Sequence, residues 1–96
     1  MTKTIVREMA LTWEEFERLL PIAAGDTTYQ VRGRCVQVTL SPSDALCIEL
    51  GETGERKIAS ISLPVTRVTF DYQGNNPDRF TQFLERFDRY FQRGGG

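Results

Sequence analysis

Arginine is the side chain with the clearest capacity for recognition in this sequence. Only Lys3 and Lys57 among its 12 basic residues are lysines, so the rest are arginines. A guanidinium makes forked contacts with carboxylates and phosphates, whereas an ammonium offers a point charge. Six arginines are the candidate partner contacts, four near the end of the chain and two in its first half: Arg79, Arg86, Arg89, Arg93, Arg32 and Arg34.

The four later arginines form a stripe if their segment is helical. Arg79, Arg86 and Arg93 follow one another at intervals of seven residues, a spacing that returns to the same side of a helix. Glu85 stands four residues before Arg89, in the order that favours an ion pair. The stripe is typical of a solvated helix face laced with ion pairs. It also fits contact with an acidic protein or with RNA phosphates.

The residues that most often carry catalysis are missing. The chain contains no histidine, which removes the commonest general base and a frequent metal ligand. No P-loop, nucleophile elbow or dinucleotide fingerprint is present, and the glycines of "GETGER" fit a hairpin better than a phosphate loop. We therefore expect a protein that is not an enzyme and that has no metal and no cofactor.

Two cysteines, Cys35 and Cys47, are predicted to lie on neighbouring strands of one sheet face. They form no CxxC motif, so we expect no zinc site. The register of the turn "SPSD" decides whether they are diagonal neighbours, within about 7–8 Å, or too far apart to bond. No nearby feature would lower a thiol pKa, and the simplest interpretation is two inert thiols.

Length and composition indicate a single domain over residues 1–96. Residues 1–10 are either a flexible arm or an edge strand, and residues 94–96 are a frayed glycine tail. No apolar segment has the length of a signal peptide or a membrane span, which predicts a cytoplasmic protein with no membrane partner. The net charge of -1 argues against broad electrostatic capture of nucleic acid.

An amphipathic helix is predicted near each end of the chain. Thr12 and Glu15 fit a capping box at the start of the first helix. Pro21 is predicted to end that helix, because proline disfavours helical geometry in the preceding residue. The second helix should begin after Asn76 and end at Gly94 in a left-handed cap. Its apolar residues recur at steps of three and four: Phe80, Phe83, Leu84, Phe87 and Phe91.

Between the helices the apolar residues alternate, which predicts strands. Gly33-Arg34 fits the two-residue loop of a first hairpin, with the neighbouring valines on one face. Thr53-Gly54 is predicted as the loop of a second hairpin, in which Ile48 would lie opposite Ala59 and Leu46 opposite Ile61. Ile61 and Leu63 are predicted to lie on the buried face of the sheet. A last strand, "TRVTFDY", would follow that hairpin.

Together these elements predict an α+β fold. It is a two-layer sandwich with an N-terminal helix, a mostly antiparallel sheet of about five strands and a C-terminal amphipathic helix, both helices on one sheet face. The opposite face should be polar and carry no aromatic rings, unlike the sheets that stack single-stranded nucleic acid. That face is either solvated or a pairing surface for a second copy or another protein.

Two partial resemblances carry no motif. The helix–strands–helix order resembles double-stranded RNA-binding domains, but "NNPDRF" stands where those domains have a lysine-rich helix start. The terminal Arg93-Gly94-Gly95-Gly96 resembles the tail of ubiquitin-like carriers, in which a strand precedes the tail. No residue role is transferred from either.

The leading hypothesis is a non-enzymatic interaction or assembly module that binds a protein partner or forms a homodimer. The alternative is RNA or DNA binding through the arginine stripe of the C-terminal helix, Arg79, Arg86, Arg89 and Arg93, aided by Arg32 and Arg34. A third possibility is a small-ligand binder with a pocket between the helices and the sheet.

Overall fold

The computed structural model describes residues 2–95, and their side chains through residue 91. The five strands form one antiparallel sheet in the order β1-β5-β4-β3-β2. Both helices cover the same side of that sheet, which we call the inner face. The predicted α+β architecture is confirmed. Its elements are β1 (Thr2–Met9), α1 (Trp13–Ala24), β2 (Thr28–Arg32), β3 (Cys35–Ser41), β4 (Asp44–Ile58), β5 (Ile61–Gln73) and α2 (Pro77–Gly95).

The first segment, which the sequence left open between an arm and a strand, is an edge strand. β1 pairs with β5 over all 8 of its residues. Ile5 and Met9 pack against the core, while Val6 on the other face is exposed. Alternate side chains of a strand point to opposite faces, so β1 extends both faces of the sheet.

The start of α1 agrees with the sequence, and its end does not. Thr12 and Glu15 form the predicted capping box, in which the Glu15 N–H donates to Thr12 Oγ1 at 3.2 Å. Pro21 does not end the helix, which continues to Ala24. An interior proline loses one backbone hydrogen bond. Complete burial of Ala23 and Ala24 against the core favours the extra turn in spite of that loss.

The first hairpin has the predicted turn and register. Arg32 lies opposite Cys35, and Val31 opposite Val36, which leaves Gly33-Arg34 as the two-residue loop. Gly33 has a φ of 59°, the conformation that a glycine tolerates at the first loop position of a type II′ turn.

The predicted register of the second hairpin is wrong. The chain passes straight through Thr53-Gly54 and turns at Ala59-Ser60 instead. Ile48 therefore lies opposite Phe70 rather than Ala59. The predicted return strand and the predicted last strand are one continuous strand, β5. This register sets the apolar inner positions of β4 against those of β5, which buries more apolar surface than the shorter hairpin would.

The core lies between the inner face and the two helices. The phenylalanines predicted on α2 are all buried. Phe87 meets Phe70 edge-on with ring centroids 5.2 Å apart, and Phe80 stacks on Tyr72 at 5.2 Å. Such aromatic pairs add about 0.5–1.5 kcal/mol beyond burial alone, so α2 is fixed firmly on the sheet.

The end of α2 differs from the prediction, because helical backbone extends through Gly95 rather than ending at Gly94. The side chain of Arg93 and the last residue, Gly96, lie outside the described residues. Neither described helix has a stretch long and apolar enough to cross a membrane.

Candidate functional site

The feature with the clearest potential for contact is the far end of the β4–β5 hairpin, which projects beyond the helices. We call residues 51–65 the hairpin arm. Every residue from Gly51 to Leu63 is exposed, and the molecule measures 47 × 23 × 23 Å. The arm is therefore a two-stranded ribbon with solvent on both faces for most of its length.

A bulge at the base of the arm decides which side chains share a face. Leu50 lies opposite Val68, yet Thr53 lies opposite Thr66, so β4 has one residue more than β5 in this interval. An extra residue shifts the alternation of one strand relative to the other. Beyond the bulge, even-numbered positions of β4 point to the outer face, away from the helices.

This shift gathers the apolar residues of the arm on the outer face. Ile58 lies opposite Ile61, two residues along β5 comes Leu63, and two further comes Val65. We call these four residues the apolar strip. Ile58 is 54% exposed, Ile61 59% and Leu63 37%. The prediction that Ile61 and Leu63 lie on the buried face is wrong, because β5 is one continuous strand whose even-numbered side chains point to the inner face.

A shallow groove of roughly 550 Å³ lies on the outer face beside the apolar strip. Gly51 and Gly54 form part of its lining. A Cβ added at Gly54 would meet nothing closer than the Val65 carbonyl oxygen at 3.8 Å, and one at Gly51 nothing closer than the Arg67 oxygen at 3.6 Å. Neither glycine has a positive φ. Packing and backbone geometry within the chain therefore tolerate larger residues at both positions.

Charges of both signs surround the groove. Glu8, Glu52 and Glu55 line it together with Arg56 and Arg67. The Arg56 guanidinium lies 3.7 Å from the Glu8 carboxylate in an exposed ion pair. Exposed pairs of this kind contribute little to folding, so these side chains can exchange partners on contact with another surface.

The base of the arm is held in place by polar contacts. Arg34 donates from Nη1 to the Gly51 carbonyl oxygen at 2.9 Å, and its own carbonyl accepts from the Leu50 N–H at 2.9 Å. The buried Thr66 hydroxyl donates to the Leu11 carbonyl oxygen at 2.6 Å. The bulge is thus tied to the β2–β3 turn and to the α1 entrance, which fixes the direction of the arm.

Arg86, a candidate partner contact, makes its contacts within the chain. Its Nε donates to the Ala23 carbonyl oxygen at 3.1 Å, and its Nη2 to that of Ile22 at 3.2 Å. These carbonyls belong to the last turn of α1, where helices leave acceptors unsatisfied and favour positive charge. A Cβ on Gly25 would lie 2.8 Å from the same guanidinium. Arg86 therefore caps α1 and joins it to α2.

Arg79 lies beside a buried carboxylate. Its Nε is 3.9 Å from Asp44 Oδ2, and Asp44 is 3% exposed. Asp44 accepts from the Tyr72 hydroxyl at 2.6 Å and from Ser41 at 2.6 Å. Hydrogen bonds from Ser41 and Tyr72 hold the pKa of Asp44 well below its ordinary value. The backbone N–H of Asn76 also donates to this carboxylate, so the cluster fixes the entrance to α2.

The six candidate arginines do not form one surface. Arg32 and Arg34 belong to the first hairpin, and Arg32 lies on the outer face opposite Cys35. Arg79 and Arg86 are on α2, which covers the inner face; they share a groove of roughly 210 Å³ there. Arg89 is exposed. The sheet itself separates the two groups, and the Arg93 side chain lies outside the described residues.

The two cysteines are much closer than the sequence could establish. Cys47 lies opposite Gln37, two positions from Cys35, which is the diagonal arrangement. Their sulfur atoms are 2.8 Å apart, and both side chains are half-buried on the outer face. Burial, together with the hydrogen bond to Cys35, raises the pKa of the Cys47 thiol to about 12.

Sequence reasoning missed the arm because Thr53-Gly54 has the composition of a hairpin loop. Strand glycines also mark bulges and sites where another backbone approaches closely, and that signal was present in "LGETG".

Among residues 2–95, no cluster of three or more histidine, cysteine or acidic side chains could hold a metal ion. Comparison with known proteins finds no matching family model, no matching curated protein and no matching solved structure.

Proposed function

We propose that this protein is a non-enzymatic interaction module that forms a homodimer through the outer face of the hairpin arm. The observation that carries the proposal is the apolar strip. Ile58 and Ile61 are each more than half exposed on a projecting ribbon, and contiguous exposed apolar residues mark interaction surfaces. Covering such half-exposed side chains would contribute roughly 1 kcal/mol each to association.

The charges favour a second copy as the partner. In a twofold interface the same patch faces itself, with each residue opposite a different residue of the partner. The groove provides Glu8, Glu52 and Glu55 as well as Arg56 and Arg67, so a twofold rotation brings carboxylates towards guanidinium groups. A partner carrying charge of a single sign would meet repulsion from one of these sets.

The glycines supply the shape for this contact. When two arms lie antiparallel with their outer faces together, the tip of each arm reaches the base of the other. Ile58 and Ile61 of one copy would then lie over Gly51 and Gly54 of the other, where the groove lacks side chains. Glycine in a strand weakens it by about 0.5–1 kcal/mol relative to alanine. Close approach of a second arm explains why glycine is nevertheless useful at these positions.

Sedimentation velocity over a range of concentrations tests the proposal. As its concentration rises, the wild type is expected to reach a mass of twice 11.0 kDa. The transition should depend on concentration because the apolar strip is small. Ile61→Ser removes apolar surface from the strip and should leave a monomer. Ile22→Ser is the matched control, since Ile22 is 52% exposed on α1, away from the arm. It should dimerise as the wild type does.

Two results would overturn this function. One is a wild type that remains monomeric at the highest concentration. The other is a dimer that survives Ile61→Ser unchanged, which would transfer the contact to another surface such as the open edge of β1. A cytoplasmic setting belongs to the same proposal, supported by two cysteines that both carry free thiols.

RNA binding remains the second candidate, supported by one observation. Arg79 and Arg86 share the groove on α2 with Gln82. If their guanidinium groups turned outward, this groove would accept a phosphate. Binding of this kind weakens steeply with salt. Arg79→Met should then reduce RNA affinity at low salt, whereas an interaction module has no salt-dependent RNA affinity to lose.

A further inference from the structure

The thiols of Cys35 and Cys47 form a pair that the homodimer does not use. Their sulfur atoms are 2.8 Å apart, on neighbouring strands β3 and β4 that are joined by a short turn. Both residues lie on the outer face within the body of the sheet, outside residues 51–65 of the arm. Two thiols held this close on adjacent strands are an arrangement for joint chemistry rather than for two independent side chains.

We propose that Cys35 and Cys47 form a reversible intramolecular disulfide that links β3 to β4. A disulfide bond is about 2.05 Å long, so the sulfur atoms need to approach by less than about 1 Å. The diagonal position supplies the reversibility. Diagonal neighbours in a sheet have a wider backbone separation than directly opposite residues. A bond between them is expected to be strained, and strained disulfides are the labile ones.

The oxidant is a small-molecule disulfide such as glutathione disulfide. The Cys35 thiolate attacks one sulfur of that disulfide, forming a mixed disulfide and releasing one glutathione thiolate. Cys47 then loses its proton to solvent and attacks the Cys35 sulfur, which releases the second glutathione thiolate. The two cysteines are oxidised by two electrons, and the glutathione disulfide is reduced to two glutathione molecules.

The surroundings of Cys47 assign the order of these steps. Burial, followed by the Cys35 thiol and then by the charges of Asp71 and Glu49, raises the pKa of Cys47 to about 12. Cys47 is therefore protonated at neutral pH and is a poor first nucleophile. It becomes effective only when the mixed disulfide on Cys35 stands next to it, because proximity replaces the need for a large thiolate fraction.

The test is equilibration of the full chain in glutathione buffers of varied ratio, followed by acid quenching, alkylation and intact-mass measurement. In oxidising buffer each wild-type chain is expected to lose two hydrogens and both alkylation sites. In reduced glutathione it should recover both thiols. Cys47→Ser should instead gain one glutathione on Cys35 and keep it. Serine is a close replacement at these half-buried positions, so the variant fold is retained.

Three results would overturn the proposal. The wild type could accumulate stable glutathione adducts, it could form disulfides between molecules on a non-reducing gel, or it could keep two alkylatable thiols in the most oxidising buffer. These results concern only the two cysteines, whereas the dimer test substitutes Ile61 and leaves both cysteines in place. Dimerisation and disulfide formation can therefore fail separately.

Discussion

Ile58 and Ile61 lie directly opposite each other at the end of the β4–β5 hairpin, and both are more than half exposed on the same outer face. Apolar cross-strand pairs of this type normally stabilise a sheet by facing a core. Here neither helix within residues 2–95 reaches them, because the arm extends beyond both. Their position at the tip of the arm is the basis of the proposed homodimer contact.

Gly54 offers the sharpest separation of folding from assembly. Gly54→Val adds a β-branched side chain to a strand interior, where its Cβ would make only an ordinary van der Waals contact. The monomer should be as stable as the wild type or more stable, by up to about 1 kcal/mol, while dimerisation should be lost. Urea unfolding at low concentration and sedimentation at high concentration measure the two effects.

The control for Gly54 is Lys57→Val, which places the same valine side chain on the other face of the arm in exchange for a lysine. This variant should keep the dimer. If Gly54→Val dimerises normally, the groove is not part of the contact, even if Ile61 is.

Arg86 is expected to matter for stability rather than for binding. Arg86→Met removes two hydrogen bonds to the last turn of α1 and a positive charge from the negative end of that helix. The free energy of unfolding should fall by about 1–3 kcal/mol. Arg89→Met, at an exposed position of the same helix, should change it by less than about 0.5 kcal/mol. Equal effects of the two substitutions in urea unfolding would contradict the capping role.

Asp44 should make folding sensitive to acid. Its folded pKa is lowered by the hydrogen bonds from Ser41 and Tyr72. Its contribution to stability is therefore complete above the unfolded pKa of about 3.9 and is lost as pH falls towards the folded pKa. Asp44→Asn should be clearly less stable than the wild type at pH 7, and the difference should shrink below about pH 4.

Asp78→Asn is the control for that pH profile, since Asp78 is an exposed carboxylate in the first turn of α2. Its stability difference from the wild type should be small at pH 7. A constant difference between Asp44→Asn and the wild type across the acid range would show that the Asp44 charge contributes nothing.

The two hairpin turns predict stability changes of opposite sign. Ala59 has a φ of 55° and Gly33 a φ of 59°, a region that disfavours residues with a Cβ by roughly 1 kcal/mol. Ala59→Gly should therefore raise the melting temperature and Gly33→Ala should lower it. Nothing lies within 4 Å of a Cβ at Gly33, so the effect there is conformational. A lower melting temperature for Ala59→Gly would argue against a turn at Ala59-Ser60.

The fold class and most inner-face residues could be predicted from local patterns. The capping box of Thr12 and Glu15, the loop at Gly33 and the apolar period of α2 are all set by residues close in sequence. Short-range hydrogen bonds, backbone preferences and the alternation of side chains are enough to specify them. These elements in turn require a sheet with one apolar face covered by helices.

Tertiary structure decided the features on which the proposed function depends. Thr53-Gly54 has the local chemistry of a turn, but the long register of β4 on β5 wins because it pairs the apolar positions of both strands across the core. Pro21 has the local chemistry of a helix end, but burial of the following alanines continues the helix. The bulge after Leu50 changes which side chains of β4 point outward and thereby places Ile58 with the rest of the apolar strip on the outer face. Contacts between residues far apart in sequence set all three, and no local preference contains that information.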